Sequence, residues 1–363
     1  MRPFLRSPLS VAAALWLLAA CGVAPSAQAP HSLAPAALAD RSARYQNPVL
    51  GSDFADPCVL RAADGRYYAY ATQGPAAGGF QNIACLRSDD LVHWTRLPDA
   101  LPTKPAWAHG TQNFWAPHVI ARDGRYLMYF AAQSDKPFDG HDFAMGLGVA
   151  TSAKPEGPFE PLPTPITVEA DFSAIDAFVM EDPANGKPYM FWGSGFKPLR
   201  ARELTDDGLA FAPGSRAKSL LDPRDKPLEH LIEGSWIQRH GKYFYLYYSG
   251  DNCCTGDMAY AVMVARSTSL FGPYERRENE DGTAAPIMRA NERWRAPGHN
   301  AVVTDGGGTD WLVYYAVDAR QPTMPGSKDL RRCLMIDKLR YVDGWPNVEG
   351  GSPSQAAQVA PKI

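Results

Sequence analysis

Short apolar runs rich in Tyr, Phe and Trp recur along the chain, joined in pairs by tight glycine-containing turns. The first pair is "AADGRYYAYAT" (62–72), echoed by "ARDGRYLMYFA" (121–131), "PANGKPYMFWG" (183–193), "QRHGKYFYLYYSG" (238–250) and "DGGGTDWLVYYA" (305–316). Each copy reads as a strand, a turn and a second, aromatic-rich strand, which is the signature of a β-hairpin. With Gly65, Gly124, Gly186, Gly241 and Gly308 as markers, the steps between copies are 59, 62, 55 and 67 residues. No convincing amphipathic segment of helical period appears at any length.

A further pattern follows the hairpins: "IACLRSDDLVHWTRL" after the first, "MGLGVATSAKPEGPFEPL" after the second and "YAVMVARSTSLFGPYERR" after the fourth. These read as a third strand, a loop and a short outer strand, so a unit has about four strands over roughly 60 residues. Five such sheets predict an all-β fold, a five-bladed β-propeller with four-stranded antiparallel blades. A β-sandwich is the other all-β arrangement, but so long a repeat does not suit it. The propeller is expected over residues 45–349, with a strand near Tyr45–Val49 closing the ring on the last blade and residues 350–363 as a C-terminal tail.

Composition changes the picture of the compartment more than that of the fold. The chain has 363 residues, 45% hydrophobic and 21% charged, with a net charge of −3. That is enough chain for a large core, and the charge makes no case for nucleic acid or an anionic membrane surface as partner. Arg2 and Arg6 flank an apolar "LSVAAALWLLAA", too short to span a bilayer comfortably, and residues 1–20 read as a signal peptide. The following "LAAC" resembles a bacterial lipobox, which implies a lipid on Cys21 and a periplasmic or outer-membrane lipoprotein; the plainer alternative is a signal peptide that ends near a Cys. Residues 21–44 read as a Pro/Ala tether. Export puts Cys58, Cys85, Cys253, Cys254 and Cys333 in an oxidising compartment. Their odd number leaves at least one thiol free, and without CxxC or HExxH a zinc site has no support. The neighbours Cys253 and Cys254 are either a vicinal disulfide near the pocket or two reduced thiols in a loop. A monomer is expected.

Aligned on their glycine markers, the first strands of the five units hold Asp56, Trp115, Asp176, Glu233 and His299 at matching positions. In a radial fold the first strand of each blade lies nearest the axis, so these side chains converge on one pocket. Taken singly each has a bland reading: a turn aspartate before Pro57, a surface glutamate, a satisfied loop histidine. Five at one register argue otherwise, because carboxylates are rarely gathered or buried without a purpose. The set suits glycoside hydrolysis, in which one carboxyl protonates the leaving oxygen and another carboxylate acts across the sugar. A third carboxylate nearby raises the acid's pKa, and Trp115 offers a flat face to sugar C–H groups.

At these residues the sequence resembles the family 43 glycoside hydrolases, which are five-bladed β-propellers, from about Asn47 to Val348. "NPVLGSDFADP" resembles the family's first-blade motif, implying that Asp56 is the general base. "IDAFVMEDPANGKPYMFWGS" resembles the third-blade motif, implying that Asp176 modulates and orients the acid. "IEGSWIQRHGKYFYLYYSG" resembles the fourth-blade motif, implying that Glu233 is the general acid. The resemblance also makes Phe54, Trp115, Ser194 and Arg320 candidate substrate contacts, and implies single displacement with inversion. "GHNAVV" and "GDNCCTGD" are similar to arabinan-acting members, in which the residue matching His299 holds an ion, usually Ca2+ with mostly water ligands. Two departures stand out: His118 in "WAPHV" where the family often has an acid, and "CCTGDMAY" in place of the usual endo-arabinanase continuation.

The expected function is therefore an inverting hydrolase of α-L-arabinofuranosyl linkages in arabinan or other arabinose-containing plant polysaccharide. A β-xylosidase or galactan-acting glycosidase of the same family is the alternative within this chemistry, since pocket walls rather than carboxylates select the sugar. A non-catalytic glycan-binding lipoprotein is the alternative of another class. Endo versus exo action stays open.

Overall fold

The computed structural model describes residues 44–76, 79–255 and 258–363. The expected signal peptide, Cys21 and all but the last residue of the tether lie outside the described residues. Five four-stranded antiparallel blades are present, each built around a hairpin; four of them take their strands in chain order, and the fifth takes its outermost strand from residues 50–53. Their first strands are Cys58–Arg61 (blade I), Phe114–Arg122 (II), Phe178–Glu181 (III), Ile232–His240 (IV) and Trp294–Thr304 (V). Each first strand touches that of the next blade, and blade V touches blade I, so the five line one axis. The all-β propeller expected from the repeat is the fold. Its five glycine markers all sit in turns at positive φ, between 59° and 84°, a backbone conformation that glycine adopts without a Cβ clash.

The ring is closed by Leu50–Asp53, which pairs as the fourth strand of blade V with Arg332–Val342. The closing strand thus lies just beyond the expected Tyr45–Val49. Pro48 has no N–H to give to a ladder, and ladder bonding to blade V starts at Val49, whose N–H donates to the Leu334 carbonyl at 3.0 Å. Arg44–Tyr45 pairs instead with Gln358–Val359. The segment after Gly350 is therefore strapped to the domain, helped by a 2.9 Å hydrogen bond from Lys362 N–H to Asp305 Oδ2.

The core lies between blades. Five apolar clusters fill the five inter-blade seams, each drawn from facing strands of adjacent sheets. Trp236 on the first strand of blade IV packs against four of them, which puts its indole near the axis. His118 lies beside it, 5.3 Å between ring centroids; its Nε2–H donates to the Val179 carbonyl and its Nδ1 accepts from the Cys58 thiol. Burial pulls the His118 pKa down to about 4, so the ring is neutral. His118 belongs to this axial packing beneath the pocket.

Candidate active site

At or near the start of every first strand the backbone turns to positive φ, at Asp56 (52°), Ala116 (45°), Asp176 (61°), Gly234 (63°) and His299 (45°), with Ala296 (46°) a second such residue in blade V. Each of the first five lies two residues before the point where regular pairing with the second strand begins or resumes, at Cys58, His118, Phe178, Trp236 and Ala301. In blades II, IV and V the pairing register shifts here, as a bulge does, and a bulge re-aims side chains. Asp tolerates this conformation and Gly takes it freely, whereas Ala and His carry strain of roughly 1–2 kcal/mol. The equivalent set is therefore Asp56, Ala116, Asp176, Gly234 and His299, and Trp115 and Glu233 each precede it by one residue. Counting from the glycine markers misaligned blades II and IV because their hairpin turns differ in length.

The five strands still deliver their side chains to one place. Asp56, Trp115, Asp176, Glu233 and His299 all line a cavity of about 930 Å³, a size suited to a ligand larger than a single small molecule of solvent. His299 Nδ1 lies 3.4 Å from Asp56 Oδ1 and 3.7 Å from Asp176 Oδ2, at the centre of the floor. Its backbone N–H is held by Ser249 Oγ at 2.8 Å. Thr72 donates its hydroxyl to Asp56 Oδ2 and accepts from Ala116 N–H, fixing the first carboxylate. Asp176 is 6% exposed, and its Oδ2 accepts from Gly234 N–H at 3.0 Å. Glu233 accepts from Ser194 Oγ at 2.5 Å and from Tyr260 OH at 2.9 Å. Tyr260 reaches it because residue 298 is glycine: a Cβ there would stand 2.1 Å from the Tyr260 ring.

Electrostatics favour protons on the two deeper acids. Burial, first, and then repulsion from Glu233 and Asp56 push the Asp176 pKa well above the carboxylate range. Burial also raises Glu233, with Asp56 adding to it, against the lowering effect of Ser194 and Tyr260. Asp176 has a single backbone donor, whereas Glu233 has two hydroxyl donors, and each carboxyl's charge bears on its neighbours. Protons therefore come off this pair as a coupled unit. Burial lowers the His299 pKa, with Arg332 acting the same way and Asp56 opposing, so the imidazole is neutral and one ring nitrogen keeps a lone pair.

Three expected substrate contacts are not among the residues that line the cavity. Phe54 is 1% exposed and packs in the seam between blades V and I, so its ring faces the core and not the cavity. Ser194 is buried and serves Glu233. Arg320 is exposed beyond the end of Asp310–Asp318 and away from the cavity wall. The arginine that does line the cavity is Arg332, paired with Asp53 at 3.3 Å. Burial disfavours its charge, but Asp53 and then Asp56 outweigh burial and hold its pKa above the ordinary arginine value. Arg332 comes from the third strand of blade V, where no motif marks it. One wall carries Trp115 stacked on Phe172, 6.1 Å between centroids and 17° between planes; Phe172 is 45% exposed.

A calcium ion at His299 meets a sparse donor set. Ser235 Oγ and both side-chain polar atoms of Asn300 are buried beside it without a hydrogen-bond partner. No group of three or more His, Cys, Asp or Glu among the described residues is arranged to hold a metal. Calcium takes about six to eight oxygen ligands, so these residues fit it only with water completing the shell.

The family model described as "Glycosyl hydrolases family 43" matches residues 45–346. An extracellular exo-α-(1→5)-L-arabinofuranosidase of Cellvibrio japonicus is 27% identical over 82% of this chain and 86% of its own length. An extracellular endo-α-(1→5)-L-arabinanase of Bacillus subtilis is 26% identical over 80% of this chain and 86% of its own. Among solved structures, the Cellvibrio cellulosa α-L-arabinanase complexed with arabinohexaose matches with a TM-score of 0.65 and 26% identity, covering 82% of this chain and 95% of that one.

Proposed function

The chain belongs to the glycosyl hydrolases of family 43 and is a glycoside hydrolase, and from that premise we propose that it cleaves α-L-arabinofuranosyl linkages of arabinan with inversion. The observation that carries the reading is the meeting of Asp56, Asp176 and Glu233 on one cavity floor, with Glu233 pushed towards its protonated form. Inverting hydrolysis needs one carboxyl that gives a proton to the departing oxygen and one carboxylate that takes a proton from the attacking water. Glu233 has the first character. Asp56, held by Thr72, is placed for the second. Asp176 orients the backbone at Gly234, next to the acid, and shares its titration. The names of the relatives supply the sugar, and they divide between exo and endo action.

The test is the product of hydrolysis. Linear arabinan, debranched arabinan, xylan and galactan are offered, and early products are followed by proton NMR. We expect arabinose or arabino-oligosaccharides released as the inverted anomer. A retained anomer overturns the mechanism, and cleavage of xylan or galactan alone overturns the sugar. Arabinose as the sole product means exo action; a ladder means endo.

Removing one donor to Glu233 gives a pH test. A donor stabilises the ionised carboxylate, so its loss raises the pKa, and the acid form then survives to higher pH. Tyr260→Phe is therefore expected to move the alkaline limb of kcat/KM upward by about one pH unit, the equivalent of about 1.4 kcal/mol. A downward shift would show that Glu233 is not the group titrating there.

Calcium belongs to the same proposal, held by His299 with water as the main ligand. A cation there would supply fixed positive charge to the cavity beside Asp56 and Asp176. At a hundred times its dissociation constant a ligand stabilises by about 2.7 kcal/mol, which raises the melting temperature of a domain this long by about 4 °C. EGTA reverses the shift and His299→Ala abolishes it; an equal shift in that variant refutes the site.

A further inference from the structure

The two neighbouring cysteines of blade IV are bonded to each other, while Cys58, Cys85 and Cys333 are buried and free. A disulfide stabilises chiefly by closing a loop in the unfolded chain, and the gain grows with loop length. A bond between residues 253 and 254 closes none. Nor is it hidden in the core: Cys254 is exposed, Cys253 is half-buried, and both line the cavity that holds Glu233 and His299. The pair needs a reason other than stapling the fold.

Hydrogen bonds and packing place it on the same cavity as Glu233. Asn252 Oδ1 accepts from the N–H groups of Cys254 and Thr255, each at 3.1 Å, which fixes the turn. Below it, Cys253 packs on a small apolar cluster that contains Tyr260 and Tyr315. Tyr260 is the residue whose hydroxyl donates to Glu233 Oε1. The cluster that seats Cys253 thus includes the aromatic that holds the carboxyl. In the ring order, the boundary of blades IV and V lies across the axis from blade II, which carries Trp115.

Joined sulfurs lose their S–H donors and present a polarisable, apolar surface. A furanose ring offers a C–H face to such a surface, as it does to an indole. We propose that the Cys253–Cys254 disulfide is a sugar-contacting wall of the cavity and a determinant of substrate binding, gripping the sugar unit beside Glu233 opposite Trp115. The assignment rests on the glycosidase reading above and deepens it. Reduction separates the sulfurs, frees the turn and removes the wall.

Two measurements test it. In Glu233→Gln, which turns substrate over about a thousandfold more slowly, the disulfide is reduced by a phosphine and the new thiols are counted by alkylation and mass spectrometry, within a time too short for the substrate to be consumed. Arabinohexaose at ten times its dissociation constant is expected to slow reduction about tenfold, because only the free form exposes the bond. Second, Cys253→Ala/Cys254→Ala is expected to raise KM for linear arabinan about tenfold with kcat changed less than about threefold, the sign of lost binding common to ground and transition states. If that variant does not fold, phosphine-reduced wild type takes its place. A sugar that the wild type cleaves but that gives no protection overturns the wall, as does an unchanged KM. Protection by xylohexaose, with cleavage of xylan and not arabinan, upholds the wall and overturns arabinan as the substrate.

Discussion

Glu233→Gln is expected to lower kcat on α-1,5-linked arabino-oligosaccharides by about 10³-fold, within the range that positioned acid–base groups contribute. That loss corresponds to about 4 kcal/mol of transition-state stabilisation. Glutamine keeps the volume of the side chain; its single carbonyl oxygen can still accept from one of Ser194 and Tyr260, and its amide NH2 can donate to the oxygen of the other, so the site survives while its transferable proton does not. The size of the loss must track the leaving group. An alkoxide of a sugar needs the proton, whereas a dinitrophenolate leaves without one, and on that glycoside the loss should stay under about tenfold. The pH profile gives the sign. Glu233 acts while protonated, so activity is present below its pKa and lost as pH rises through it. Because burial and Asp56 raise that pKa, the wild type stays active closer to neutrality than an ordinary glutamate would allow. In Glu233→Gln the alkaline limb should vanish. Equal losses on every leaving group would remove Glu233 from the acid's role.

Asp56→Asn should cost as much or more, about 10³- to 10⁴-fold in kcat, and the loss should be flat across leaving groups. A base that activates water acts on the nucleophile, so an easier departure cannot compensate for it. Asparagine is the sharp probe here. Position 56 has a φ of 52°, and Asn accepts that conformation nearly as readily as Asp. Its Oδ1 can still receive the Thr72 hydroxyl that now meets Asp56 Oδ2. The melting temperature should therefore hold while activity falls. Rescue by a better leaving group would mean that Asp56 serves the departing oxygen instead. Together the two variants separate acid from base by the slope of their losses, a comparison that neither makes alone.

How much of this was legible in the sequence depends on the distance over which each feature is encoded. A hairpin is local. Gly65, Gly124, Gly186, Gly241 and Gly308 each need their positive φ for a turn between two apolar strands, so five repeats and their number were readable. The carboxylates were readable because each sits near the mouth of a first strand, and in a ring all first strands share an axis. Their alignment was readable only to within one residue. A glycine counts chain length through a turn, whereas the bulges that aim Trp115 and Glu233 lie on the far side of a strand.

The fold class and the five blades were thus determined by sequence alone, because periodicity and local turn chemistry specify them, and so was the approach of three carboxylates to one axis. The tertiary structure alone decided the rest, by bringing together groups with no shared local pattern. Arg332 meets Asp53 across 279 residues, Gly298 makes room for the ring of Tyr260 behind Glu233, and Phe54 turns into a seam that exists only once blade V has closed on blade I. The two cysteines follow the same logic. Their adjacency is written in the chain, but a bond between them, and its place beside the acid, depend on what the folded loop packs against.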